Sequence, residues 1–160
     1  MTEDIEARLA KLEAAEAIRN LRSEYAYICD AGFDGDLIAA TFTEDGVFDA
    51  GAVGRYEGRD AISEYFGAVP ASLTWSVHMM GSDRIEVADG AREATGRWYF
   101  LEPCIVNGEN TWVIGAYDDR YRRDDDGRWR FAEVRLEPLN VTSYDAGWAA
   151  GVYPPPEADK

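Results

Sequence analysis

The sequence predicts an α+β protein, with N-terminal helices laid on one face of a curved, mostly antiparallel sheet. Three observations lead there. Apolar residues recur at three- and four-residue spacing from Ile5 to Ile28. After Pro70 the apolar period changes to two. Asp89-Gly90, Asn107-Gly108 and Asp126-Gly127 then punctuate the chain as turns between strands.

The first helix is expected over residues 4–31, with Ile18, Leu21, Tyr25 and Ile28 on its core stripe. Thr2 or Asp4 can cap its start and Gly32 fits its stop. A short helix follows at 34–43, closed by a Glu44-Asp45-Gly46 turn, then a short strand at 47–50. A small strand at 55–57 precedes a third helix at 60–69, which Pro70 ends. Residues 72–80 alternate as a strand, with Trp75 and Val77 on one side and Ser76 and His78 on the other. Strands at 84–88, 91–106, 110–123 and 128–136 complete the meander, with Pro103 marking a bulge or edge. Residues 1–140 read as one domain. Residues 141–160 read as a tail whose Tyr144, Trp148 and Tyr153 suit a lid or a subunit contact, with Pro154–Pro156 ending its ordered part.

Composition narrows the function. The 160 residues carry a formal net charge of -15. Nucleic acid and anionic membrane partners need clustered Lys and Arg, so both are disfavoured. Two cysteines and one histidine, without paired metal-ligand spacing, disfavour a zinc site. No signal peptide or long apolar run is evident, and a cytoplasmic setting is expected. Nucleophile-elbow, P-loop and dinucleotide signatures are absent, which leaves acid–base chemistry. Large apolar residues on both parities of the long strands, such as Trp98, Tyr99, Phe100 and Leu101, suggest a sheet covered by another subunit.

His78 is the candidate base, because imidazole titrates near neutrality. Asp30, at the unfavourable C-terminal end of an apolar-rich helix, is its candidate partner. Tyr25 could protonate a leaving group or hold a carbonyl, and Tyr27 shares a helix face with Asp30. Glu102 reads as an inward carboxylate or an exposed strand end. Arg135 shares parity with Trp129 and Phe131, so an inward Arg135 would need Glu102, Glu133 or a substrate carboxylate as partner. Trp75, Trp98 and Trp112 are candidate cavity walls.

The order of several segments resembles a known family. Tyr25–Asp30, Phe42-Thr43-Glu44-Asp45-Gly46, Tyr56–Ile62, the His78 strand, Gly115–Tyr121 and Asp126–Phe131 together look like the SnoaL-like group of the nuclear-transport-factor-2-like superfamily. Within it the chain is most similar to the branch of scytalone dehydratase, bile-acid 7α-dehydratase and hexachlorocyclohexane dehydrochlorinase. The resemblance implies a cone-shaped fold closing a deep apolar cavity. It implies an Asp–His dyad at Asp30 and His78, with Tyr25 matching a tyrosine of the bile-acid enzyme. It implies a cofactor-independent lyase of dehydratase type, acting on a hydrophobic cyclic small molecule, without a metal. A homo-oligomer is implied, a trimer favoured over a dimer. Isomerisation or cyclisation by the same dyad, or ligand binding without chemistry, are the alternatives.

Overall fold

A computed structural model describes residues 5–151. The caps expected at Thr2 or Asp4, and the tail residues Tyr153 and Pro154–Pro156, lie outside the described residues. Helix α1 (Ile5–Asp30) buries Ala14, Ile18, Leu21, Tyr25 and Cys29, much of the expected stripe. Burying one such large side chain is worth about 1.5–3 kcal/mol. The first part of the stripe does not reach the core: Ile5, Leu9 and Leu12 are exposed. Gly32 and Phe33 both take left-handed backbone, and the Phe33 N–H closes on the carbonyls of Ile28 and Cys29.

Helix α2 (Gly35–Ala40) is capped by Asp34, whose carboxylate accepts the Leu37 N–H at 3.0 Å. Strand β1 (Phe42–Asp49) starts earlier than expected. The Glu44-Asp45-Gly46 segment is a bulge inside it, because the register against the last strand shifts between Phe42 and Val47. The Phe42 carbonyl accepts two donors from Arg59, at 2.9 and 2.7 Å. Strand β2 (Arg55–Glu57) and helix α3 (Arg59–Ala68) follow as expected.

The remaining strands are β3 (Leu73–Ser76), β4 (Met79–Val87), β5 (Glu93–Val106), β6 (Glu109–Arg123) and β7 (Trp129–Ser143). The sheet order is β2-β1-β7-β6-β5-β3, with β4 also on β5. Only the β1–β7 pairing is parallel among the described strands. The single run expected at 72–80 is interrupted at Val77–His78, although Ser76↔Cys104 and Met79↔Leu101 keep one register. That gap stands opposite Glu102-Pro103, and Pro103 has no N–H to give the ladder.

The helices cover the sheet face that carries Trp98, Phe100, Glu102 and Cys104 of β5 and Tyr117, Asp119 and Tyr121 of β6. Beneath α1 the buried Arg22 guanidinium pairs with Asp119 and lies over the rings of Tyr25, Tyr117 and Phe131, at 5.0, 4.4 and 4.5 Å. Tyr121 donates to Asp119 at 2.6 Å and receives the Trp98 indole N–H at 2.9 Å. Lys11–Asp89 and Arg19–Asp83 tie α1 to β4 and its turn from outside.

The opposite sheet face is divided. Trp75, Val77, Met79 and Tyr99 are exposed at one end. Arg84, Arg97, Asp118, Arg120 and Arg135 line a cleft of about 350 Å³ at the other. After β7 the chain folds back on this outer face. Tyr144 and Trp148 pack on Trp112, and Asn140 and Thr142 hydrogen-bond the carbonyls of Trp148, Gly151 and Gly147. Residues 144–151 therefore lie behind the sheet, not over its helix-covered face. Among the described residues no helix is long and apolar enough to cross a membrane.

Candidate active site

The interruption at Val77–His78 builds the site. The His78 backbone N–H leaves the strand ladder and donates to both Asp30 oxygens, at 3.0 and 3.1 Å. The His78 Nδ1 lies 2.7 Å from Asp30 Oδ1. A carboxylate at a helix C-terminus is electrostatically disfavoured; these donors offset that cost. With Nδ1 engaged by the carboxylate, the proton sits on Nδ1 and Nε2 is left as the basic nitrogen. The imidazole is 5% exposed and Asp30 22%, so the pair works in a low-dielectric setting.

Nε2 faces Glu102, whose Oε1 is 3.6 Å away. The register explains the meeting, since His78 stands across from Glu102 between the Ser76↔Cys104 and Met79↔Leu101 pairs. Glu102 Oε1 and the neighbouring Ser76 Oγ are both buried without a hydrogen-bond partner among the described residues. Burial raises the Glu102 carboxyl above its ordinary value; His78 opposes the shift and Asp30 adds to it. The Cys104 thiol, two residues on, is pushed up to about 12 by burial, with Glu102 adding. Burial also raises the Tyr65 and Tyr117 phenols, and Glu102 adds to both shifts. The site thus combines an oriented imidazole, a second carboxyl and an apolar surround.

Of the residues expected from sequence, the structure brings together Asp30, His78 and Glu102. Tyr25 is buried among Phe66, Tyr117 and Phe131, with its phenol bonded to Cys29. Trp98 is buried in the same core, bonded to Tyr121. The other four expectations are corrected. Tyr27 is 72% exposed on α1. Trp75 and Trp112 share an outer-face groove with Pro103 and Tyr144, on the opposite parity from His78 and Glu102. Arg135 lines the outer charged cleft. Its misplacement has a clear cause. Tyr121↔Phe131 and Arg120↔Glu133 leave Ala132 as an extra residue, and that bulge reverses the alternation of β7.

Phe33 was not anticipated. Its ring stacks on Phe66 and meets the His78 ring edge-on at 6.0 Å. The signal was present as a bulky residue directly after Gly32, held at φ 58°. Such a conformation costs of order 1 kcal/mol and persists where packing demands it. Ser76 carries no site signal of its own in the sequence, although its parity with His78 is readable. No group of three or more His, Cys, Asp or Glu among the described residues is arranged to hold a metal ion.

The SnoaL-like domain family matches residues 10–135. The chain belongs to that family. Its fold is that of several solved structures. One is a candidate scytalone dehydratase from Novosphingobium aromaticivorans, at 22% identity and TM-score 0.77, covering 94% of this chain and 98% of that one. Another is hexachlorocyclohexane dehydrochlorinase LinA-type3 from Novosphingobium barchaimii, at 22% identity and TM-score 0.77, covering 93% and 99%. A third, from Novosphingobium aromaticivorans, is described as a candidate aromatic ring hydroxylase, at 27% identity and TM-score 0.72, covering 89% and 96%. At the lower identities the likeness shows the SnoaL-like fold, an α+β arrangement of N-terminal helices on a curved, mostly antiparallel sheet. No curated protein sequence matches the chain.

Proposed function

We propose that this SnoaL-like chain is a cofactor-independent lyase that eliminates water from a hydrophobic cyclic small molecule. The observation that carries the reading is the 2.7 Å contact of His78 Nδ1 with Asp30, which leaves Nε2 toward the helix-covered side beside a second carboxyl. Nε2 removes a proton from a carbon next to a carbonyl. Asp30 holds the tautomer and stabilises the imidazolium that forms. Tyr25 and Trp98 belong to the buried apolar core on the same helix-covered sheet face. The fold is shared with dehydrochlorinase and candidate dehydratase structures, and proton abstraction next to a leaving group is chemistry common to both names.

The decisive test is turnover of a panel of cyclic β-hydroxy ketones, read by mass spectrometry, with His78→Ala as control. Loss of water that disappears in H78A supports the lyase. A product of unchanged mass that disappears in H78A assigns isomerisation or cyclisation to the same base. Conversion that survives in H78A refutes His78 as the base.

The outer sheet face supports a homo-oligomer, a trimer in the leading form. Trp75, Val77, Met79 and Tyr99 are 36–50% exposed there and form one apolar area across β3, β4 and β5. Light scattering of the purified chain tests the assembly. A soluble cytoplasmic enzyme is the setting that accords with its reduced, unpaired Cys29 and Cys104.

A further inference from the structure

Glu102 is the buried acid group of this site that the dyad leaves without a task. It is 7% exposed. Its Oε1 has no hydrogen-bond partner among the described residues and lies 3.6 Å from His78 Nε2, just beyond bonding range. An ionised glutamate there would draw a proton onto Nε2 and silence the base. The groups facing it are His78 from the β3–β4 gap, Asp30 and Cys29 from α1, Cys104 on its own strand, Tyr117 from β6 and Tyr65 from α3. His78 alone among them can be cationic. Burial favours the neutral acid and Asp30 adds to it, while a cationic His78 opposes it.

We infer that Glu102 is the general acid of the elimination, giving its proton to the departing hydroxyl oxygen and recovering one from His78. This rests on the lyase reading above. The steps balance. The substrate C–H proton moves to His78 Nε2, and its electron pair becomes the new carbon–carbon π bond. The carbon–oxygen bond breaks with its pair going to oxygen, which takes the Glu102 proton and leaves as water. Imidazolium and carboxylate then face each other over a distance that a slight closure turns into a hydrogen bond. Transfer from Nε2–H to Oε1 restores both groups without a proton from bulk solvent. The phenol of Tyr25, bonded to Cys29, is not needed for this step.

The substrate class is sharpened accordingly. A hydroxyl needs a proton to leave, whereas a carboxylate ester leaves without one. The probes are 3-hydroxycyclohexanone and 3-acetoxycyclohexanone, which both yield the same enone. Glu102→Gln is expected to slow water loss about 100-fold, the lower end of general-acid contributions, and to leave acetate loss nearly unchanged. Glu102→Asp is expected to recover part of the water loss. Equal losses on both ketones would overturn the acid role.

A second measurement needs no substrate. The infrared difference spectrum of wild type minus E102Q at pH 7 is expected to show the carbonyl stretch of a protonated carboxylic acid. Absence of that band overturns the inference on its own. Failure of wild type to convert either ketone counts instead against the elimination reading, so the two failures are told apart.

Discussion

His78 presents two donors to one carboxylate: its backbone N–H and its Nδ1 both meet Asp30, the latter at 2.7 Å. The first donor fixes where the residue sits and the second fixes how its ring turns. Asp30→Asn keeps an oxygen for the backbone N–H but no longer favours the Nδ1–H tautomer. Activity is expected to fall by about 10²–10⁴-fold, with the thermal midpoint little changed. Asp30→Ala is expected to lose the midpoint as well. A D30N enzyme of full activity would show that ring orientation does not depend on the carboxylate.

His78 is the sole histidine, so its ring can be read without assignment. Nitrogen-15 NMR of histidine-labelled protein at alkaline pH is expected to show a protonated Nδ1 and a bare Nε2. In D30N the two tautomers should mix. A wild-type spectrum with protonated Nε2 would place the proton on the wrong side for catalysis.

Glu102 makes stability depend on pH in a defined direction. Its folded carboxyl is raised above the ordinary 4.5 by burial. Between those two values the folded state binds more proton than the unfolded state, so stability falls as pH rises. The loss begins near the unfolded value and is complete above the folded one. Wild type and E102Q should therefore show similar pH dependence below about 4.5, with wild type losing ground to E102Q as pH rises. Urea titrations across pH measure it, and a gap that widens toward acid would contradict it.

Arg22 and Asp119 form a fully buried pair, with Arg22 Nε and Nη1 left without hydrogen bonds among the described residues. Removing one partner strands the other charge. Arg22→Met or Asp119→Leu alone is expected to cost about 3–5 kcal/mol. The double variant, which strands neither, should cost much less than the sum. Additive losses in a double-mutant cycle would show that the pair is not coupled.

Trp75 is half exposed on the outer sheet face and distant in parity from the dyad. Trp75→Glu is expected to shift the assembly toward monomer in sedimentation experiments. An unchanged assembly would remove this face from the interface.

Much of this was legible in the chain, for definable reasons. The stripe of α1 and the alternation of Ser76 and His78 each follow from a local period, and Glu102 was recognised as a candidate inward carboxylate. The parity of Arg135 was not legible, because it depends on one extra residue at Ala132. No local pattern announces a bulge of that kind. Nor did the chain reveal the pairing of Arg22 with Asp119, which joins positions 97 residues apart. The stripe contains Arg22, but only the folded sheet supplies the aromatic rings and carboxylate that let a guanidinium be buried there. The Glu44–Gly46 turn signal does not say whether it precedes its strand or lies within it, since a turn sequence reads alike in either position.

Pro103 contributes no atom to the dyad, and its carbonyl still receives the Val77 N–H at 3.2 Å. With Val77 bonded to β5, the next amide along the chain, that of His78, points away from that strand and meets Asp30. The end of the first helix is thereby fastened to the sheet through the Asp30 carboxylate. Charging the imidazole tightens that fastening, and discharging it slackens the join. Proton movement at the ring is therefore also a mechanical event, felt where the helix is seated.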